Sequence, residues 1–216
     1  MEQKGRKQRA IVYDIVPGGS KSRMRELVEK TFEDIVVVKE YVEKEGIVSS
    51  YGQMPALGQM LTDIIRGDVK ADIVFIKSLR IFRSSEPLLF LKRILELRGI
   101  RLLSLASKDN KILRLSTQEL LNRVKLAKIY DIVGYILLVI TTITMWLLIR
   151  DVIFTLLFII VGTIVIVIHY LRGLKARAFI EKKLRELLEF KLPPDTRRIR
   201  VRVSLSRVEV YYEDRK

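Results

Sequence analysis

Two arginines, Arg80 and Arg83, stand three positions apart just after a strand-like apolar run at 71–79. Paired guanidinium groups bind phosphate well because their planar N–H donors match two phosphate oxygens at once. A second turn, PGGSKS at 17–22, follows the first strand-like run and contains Ser20. These residues predict a phosphate-binding corner. The alternative is that both arginines are exposed charges at a solvated turn.

The glycine turn at 17–22 does not fit a nucleotide-binding P-loop. That motif needs glycine directly before Lys-Ser, and Ser20 stands there instead. We therefore interpret the turn as a loop in which Ser20 or Ser22 caps the next helix.

Strand and helix patterns alternate around these turns. Apolar runs predict strands at 9–16, 34–42, 71–79 and 100–107, and helical spacing predicts helices at 23–33, 55–67 and 86–99. Strands that alternate with helices predict an α/β fold with a parallel sheet. Ligand sites of such folds lie at the carboxyl ends of the strands, where the loops of Ser20 and Arg80 belong.

A longer pattern spans residues 55 to 105. A helix that starts with proline leads to a strand, to spaced arginines and to a Gly-initiated strand, with key positions at Pro55, Leu57, Lys77, Arg80, Arg83, Ser84 and Gly99. The segment resembles the catalytic domain of the serine recombinases, the resolvases and invertases, over about 9–107. That resemblance implies a resolvase-like domain in which the two arginines hold a DNA phosphate while a serine attacks it.

The departures from the family pattern affect the chemistry. The nucleophilic serine position falls on Pro17, and two expected arginines fall on Ile15 and Met54. Covalent phosphoryl transfer needs a nucleophile and cations that stabilise the developing charge. We therefore expect a degenerate, non-catalytic domain, with Ser20 as a weak nucleophile candidate. The alternative is an active serine recombinase that performs DNA strand exchange.

Two apolar runs follow the α/β pattern. Residues 132–149 carry no charge, and 152–170 carry only a titratable histidine. At about 1.5 Å per residue each run approaches the roughly 30 Å of a bilayer core. The sequence predicts two transmembrane helices with a tip at 150–151, and interfacial aromatic side chains at Tyr130, Trp146 and Tyr170.

The net charge of +15 comes from the segments on either side of these runs. It divides into +9 before residue 129, −1 over residues 129–170 and +7 after residue 170. The positive-inside rule then predicts that both termini are cytoplasmic, and the charge favours anionic partners such as lipid headgroups or nucleic acid.

The absence of cysteine and the single histidine exclude disulfides, cysteine-based metal sites and multi-histidine metal sites. No cofactor is predicted. The many Ile, Val, Lys, Arg and Glu resemble the composition of proteins from hot environments.

The C-terminal part predicts an amphipathic helix at 174–192 and then two strands. Residues 197–205 alternate between apolar and basic, which puts Arg198, Arg200 and Arg202 on one face. This basic ridge is interpreted as a contact for lipid headgroups or nucleic acid. The alternative is a charged strand edge that resists aggregation.

These patterns divide the chain into a basic tail (1–8), a resolvase-like domain (9–115), a connecting helix (116–130), a first span (131–150), a second span (151–171) and a cytoplasmic helix with a β-hairpin (172–216). The expected function is a non-catalytic binding or scaffolding module on the cytoplasmic face of a cell membrane. Its expected partners are the bilayer, DNA or RNA, and a second copy of the chain, with no metal and no small-molecule substrate. A structural membrane protein that makes only protein contacts is the remaining alternative.

Overall fold

A computed structural model describes residues 7–17, 20–45, 52–82, 84–148, 152–191 and 198–213. The side chains at 138, 145–148, 152–159, 165–171, 198 and 213 lie outside this description. Of the predicted site residues, Arg83 lies outside the described residues, as do the side chains of Trp146, Tyr170 and Arg198.

The chain folds into two compact units. One unit contains Met1–Thr117 together with Leu187–Lys216, and the other contains Gln118–Glu186. The N-terminal segment and the C-terminal hairpin therefore belong to one folded body.

The first unit is built on a four-stranded parallel sheet of order β2-β1-β3-β4. Its strands are β1 (Gln8–Val16), β2 (Ile35–Lys44), β3 (Ile73–Ile76) and β4 (Arg101–Ser104). Its helices are α1 (Met24–Thr31), α2 (Pro55–Arg66), α3 (Ser85–Leu97) and α4 (Asn110–Leu113). The predicted α/β class with a parallel sheet is confirmed.

Both faces of this sheet are buried, which explains the continuous apolar runs of the strands. On β1, Ala10 and Val12 pack in one cluster with α1, whereas Ile11 and Tyr13 pack in another with α2 and α3. The chain moves from β1 to β2 in one direction and then returns past β1 to β3. Right-handed crossovers in opposite directions put their helices on opposite faces.

Helix α2 has sequence-encoded ends. Pro55 occupies its first turn, where a missing N–H costs nothing. Gly67 follows it in the left-handed conformation, with φ of 79°, and its N–H donates to carbonyls of the last turn.

The C-terminal hairpin packs on α2. Strands β5 (Arg198–Val203) and β6 (Val208–Glu213) are antiparallel. The Met54 N–H donates to the Val203 carbonyl at 2.7 Å, and the Leu205 N–H donates to the Gly52 carbonyl at 2.7 Å. Ile199, Val201 and Val203 are buried and join the core of the first unit. The edge of β5 is therefore covered by the segment that leads into α2.

The second unit is a pair of long helices, α5 (Thr117–Leu148) and α6 (Val152–Glu189). Lys128 pairs with Glu181 at 2.8 Å, and Arg177 pairs with Asp131. Arg177 also donates to the Ala127 carbonyl at 2.8 Å. Because later residues on α5 meet earlier residues on α6, the two helices run antiparallel.

Among the described residues, one helix is long and apolar enough to cross a membrane, at Thr117–Thr144. None of its apolar window is buried. This helix contains most of the first predicted span. The second predicted span, 151–171, falls on α6, where most of the side chains lie outside the description.

Candidate phosphate site at the carboxyl edge of the sheet

The sheet order makes β1 and β3 neighbours although they are not consecutive in the chain. The connections after them leave in opposite directions, which opens a crevice at their carboxyl ends. Ser20 belongs to the loop after β1, and Lys77, Ser78 and Arg80 belong to the loop after β3. The structure thus brings both predicted loops to the same edge.

The two loops begin at different heights above the sheet. Ile76, the last residue of β3, pairs with Tyr13, whereas β1 continues to Val16. Three further residues extend a parallel strand by about 10 Å. The loop of Arg80 therefore leaves the sheet about three residues below the loop of Ser20.

Arg80 lies in a single 3-10 turn, Leu79–Ile81, and its side chain is exposed. The Ser78 hydroxyl accepts a hydrogen bond from the Arg80 N–H at 3.3 Å. Just after the turn, Phe82 is buried and stacks on Tyr13 with ring centroids 6.5 Å apart. The backbone of this turn is therefore anchored while the guanidinium group faces solvent.

The loop after β4 also fixes this turn, which the sequence analysis missed. Asp109 accepts a hydrogen bond from the Leu79 N–H at 2.8 Å. The Ser104 hydroxyl donates to the Lys77 carbonyl at 3.2 Å. The position of Asp109 just beyond a parallel strand was the available signal. The Asp109 carboxylate therefore puts a negative charge next to the turn that contains Arg80.

Ser20 is exposed, and its backbone N–H donates to the Pro17 carbonyl at 3.0 Å. Within the described ranges no hydrogen bond joins its hydroxyl to a general base or to Arg80. Ser22, not Ser20, contributes to the start of α1, because its hydroxyl accepts from the Met24 N–H at 3.2 Å.

A buried acid lies below the edge, at the end of β2. Glu43 accepts a hydrogen bond from the Leu57 N–H in the first turn of α2 at 3.0 Å. Burial raises the pKa of Glu43, although its bonds to the backbone of that turn lower it in part. The Tyr13 hydroxyl faces Glu43 without the geometry of a full hydrogen bond, and burial raises the pKa of Tyr13. This pair joins β1, β2 and α2 and is enclosed by the core.

A second acid ties β2 to α2 nearby. Asp63 accepts from the Lys39 ammonium at 2.6 Å, from the Tyr41 hydroxyl and from the Gln59 amide. Burial acts to raise the pKa of Asp63, but these hydrogen bonds outweigh it and the pKa is lowered. The hydrogen bonds from Lys39 and Tyr41 tie β2 to α2.

The basic ridge lies on the outer face of the hairpin. Arg200 and Arg202 are exposed on β5, opposite Tyr211 and Glu209 of β6. Of the predicted interfacial aromatic residues, Tyr130 is exposed on α5. The ridge and the carboxyl edge of the sheet share no residues.

No group of histidine, cysteine and acidic side chains that could hold a metal occurs in the part of the chain that the structure describes. The chain matches no protein-family model and no curated protein. Its class is therefore defined by the fold alone: an α/β unit with a parallel sheet, joined to a long apolar helix.

Proposed function

We propose that this protein is a membrane-anchored, non-catalytic binding module that holds a resolvase-like α/β unit at the cytoplasmic face and contacts phosphate groups of nucleic acid. The exposed apolar surface of α5 and α6 is the observation that carries the membrane part of this proposal. On the described part of these helices, large aliphatic side chains are roughly half exposed, at Ile132, Val133, Ile136, Leu137, Ile140, Ile143, Ile160, Val161 and Ile164.

The energetic cost of this surface in water supports a membrane environment. Complete burial of one large aliphatic side chain is worth about 1.5–3 kcal/mol. In water, the exposed halves of nine such side chains therefore lose on the order of 10 kcal/mol of burial free energy. That loss is comparable to the whole stability of a typical domain. A bilayer core removes this penalty.

The pairing of the helices supports a two-span anchor. Asp131 would be costly inside a membrane alone, but Arg177 neutralises it, and Lys128 does the same for Glu181. The antiparallel arrangement puts these charges at one end of the pair. That end continues into the basic flanks, which by the positive-inside rule belong in the cytoplasm.

The absence of cysteine makes this topology directly testable. Single variants Lys111→Cys and Arg150→Cys report opposite sides of the membrane. We expect an impermeant maleimide to label Arg150→Cys in intact cells and to label Lys111→Cys only after lysis. Equal labelling of both variants before lysis, or full extraction of the protein by alkaline carbonate, would disprove the anchor.

The exposed guanidinium of Arg80 at the β1–β3 crevice supports the phosphate contact. The backbone of its turn is anchored by Ser78 and Asp109, so little backbone ordering entropy opposes binding. The resemblance to serine recombinases gives this corner the same ligand. Pro17 in place of the nucleophile, together with the missing arginines, supports binding without strand cleavage.

Duplex DNA binding tests the phosphate contact. We expect Arg80→Ala to weaken binding and to reduce the slope of log affinity against log salt by about 0.9, the value for one phosphate contact. Arg114→Ala, at another exposed arginine of the same unit, is the matched control. A covalent adduct with nicked DNA that disappears in Ser20→Ala would instead identify an active recombinase.

A further inference from the structure

A basic groove runs between α2 and the outer face of the β5–β6 hairpin. Its larger part has a volume of about 880 Å³ and its smaller part about 210 Å³, and both are lined by Gln53 and Arg202. Sites for one small molecule occupy about 300–1,000 Å³. Two parts that share a wall suit an extended chain better than a single compact headgroup.

The charge of the groove is strongly positive. Arg66, Arg200 and Arg202 line the larger part, and Arg207 lines the smaller part. Among the lining residues that the structure describes, the one acid is Glu209, which pairs with Arg207 at 3.6 Å. Arg200 and Arg202 lie two residues apart on one face of β5, so their Cα atoms are about 6.6 Å apart. That spacing resembles the distance between successive phosphates of an extended nucleic-acid strand.

The groove also contains aromatic and amide side chains. Tyr211 is half exposed, and its hydroxyl donates to Glu209 at 2.6 Å, which fixes the side chain beside the arginines. Tyr212 contributes to the same wall. Gln59, on α2, donates its amide N–H to Asp63 at 2.5 Å, which orients its carbonyl oxygen as an acceptor. Arginines for the backbone and aromatic rings for the bases are the combination that single-stranded nucleic acid requires.

We propose that this groove binds a short single strand of DNA or RNA, with Arg66, Arg200 and Arg202 on its phosphates and Tyr211 stacked on a base. The site is distinct from the carboxyl edge of the sheet. The inference goes beyond the proposed function, since it assigns a single-stranded ligand to a second surface of the same unit.

The test uses the full chain in nanodiscs of zwitterionic lipid and a fluorescein-labelled twelve-residue oligo(dT), measured by fluorescence anisotropy. We expect Tyr211→Ala to weaken binding at least about fivefold, because one stacked base contributes that much or more. Tyr211→Phe keeps the ring and should retain most of the affinity. Arg202→Ala should weaken binding and reduce the salt slope by about 0.7, whereas Arg114→Ala should change neither.

Several outcomes would refute the proposal that this groove binds single-stranded nucleic acid. Equal losses in Arg202→Ala and Arg114→Ala would indicate attraction by net charge only. Unchanged affinity in both Tyr211→Ala and Arg202→Ala would refute the site directly. If the same variants lose binding to vesicles of anionic lipid while oligo(dT) binding is unaffected, the groove holds lipid headgroups instead.

Two controls keep the interpretation unambiguous. Thermal unfolding of each variant separates loss of the groove from loss of the hairpin fold, and Tyr211→Phe remains informative if Tyr211→Ala unfolds. Arg80→Ala should leave oligo(dT) binding intact. If Arg80→Ala alone abolishes oligo(dT) binding, the carboxyl edge binds the strand and only the groove inference is refuted. If alkaline carbonate extracts the chain from membranes, the proposed function is refuted, whereas the groove inference is unaffected.

Discussion

Replacing Gly58 with alanine tests how the hairpin docks on α2. An added Cβ would lie 2.5 Å from the carbonyl oxygen of Val201 and 3.6 Å from its carbon. Close C···O contacts in proteins begin at about 3.3 Å, so the atoms must separate by about 0.8 Å. The obstacle is a strand backbone, which cannot move aside as a flexible side chain can. The hairpin must therefore shift away from the helix.

The magnitude follows from two opposing effects. At an open helix position, glycine to alanine stabilises by about 1 kcal/mol. Overpacking costs about 1–3 kcal/mol, and the shift also weakens the bond from Met54 to Val203, which is worth about 1 kcal/mol. We expect a net loss of about 1–3 kcal/mol, which lowers the unfolding temperature by roughly 2–4 °C per kcal/mol for a unit of this size.

The assay is thermal unfolding of the full chain in detergent, followed by circular dichroism. Gly173→Ala is the matched control, because that helical glycine has no atom within 4 Å of an added Cβ. Amide exchange at Val201 and Val203 reports the hairpin locally and should accelerate only in Gly58→Ala. If Gly58→Ala stabilises the protein as much as Gly173→Ala does, the close packing of β5 on α2 is wrong.

Three other predictions concern the buried acids and the helical pair. Asp63→Asn should destabilise the protein to urea by about 1.5–3 kcal/mol, because the charge-assisted bond from Lys39 is weakened. Since the pKa of Asp63 is lowered from its ordinary 3.8, this stabilisation is present above that pH and lost on further acidification. If Asp63→Asn and the natural chain lose the same stability on acidification, ionised Asp63 does not stabilise the fold. For Glu43 the pKa is raised from 4.5, so its ionisation makes stability fall as pH rises from 4.5 through the folded-state pKa. Glu43→Gln should remove that part of the decline, and an unchanged slope of stability against pH would refute it. Leu137, exposed on α5, should tolerate valine, but arginine there costs about 2.5–3.5 kcal/mol in a bilayer core and should reduce the carbonate-resistant fraction. Equal membrane retention of both variants would place Leu137 outside the core.

Local sequence patterns predicted much of the first unit. Each predicted strand and helix from 9 to 107 has a counterpart in the structure, and boundaries moved by a few residues. The strand at 71–79 shortened most, to Ile73–Ile76, because Lys77 and Ser78 already belong to the turn that Asp109 holds. Apolar runs identify buried strands, whereas the residue at which pairing stops depends on the neighbouring loop.

The candidate site was predictable only in part. Arg80 was singled out by residue type and spacing, and its exposure fits both a phosphate contact and a solvated turn, so its role stays a prediction. The role of Asp109 and the groove along α2 were missed, because both join residues from distant parts of the chain. Thr62, for example, accepts from the Val201 N–H at 3.4 Å across 139 positions.

The sequence by itself determined the class of the fold, the uncharged stretches, the basic flanks and the absence of thiol chemistry. Periodicity, length and charge are local properties, and a single chain displays them without folding. Only the tertiary structure decided that β1 and β3 are neighbours, that the C-terminal hairpin completes the first unit, and that arginines from β5 face polar side chains of α2. Such contacts arise from packing complementarity between distant segments, as at Gly58 and Val201, and no local pattern records it.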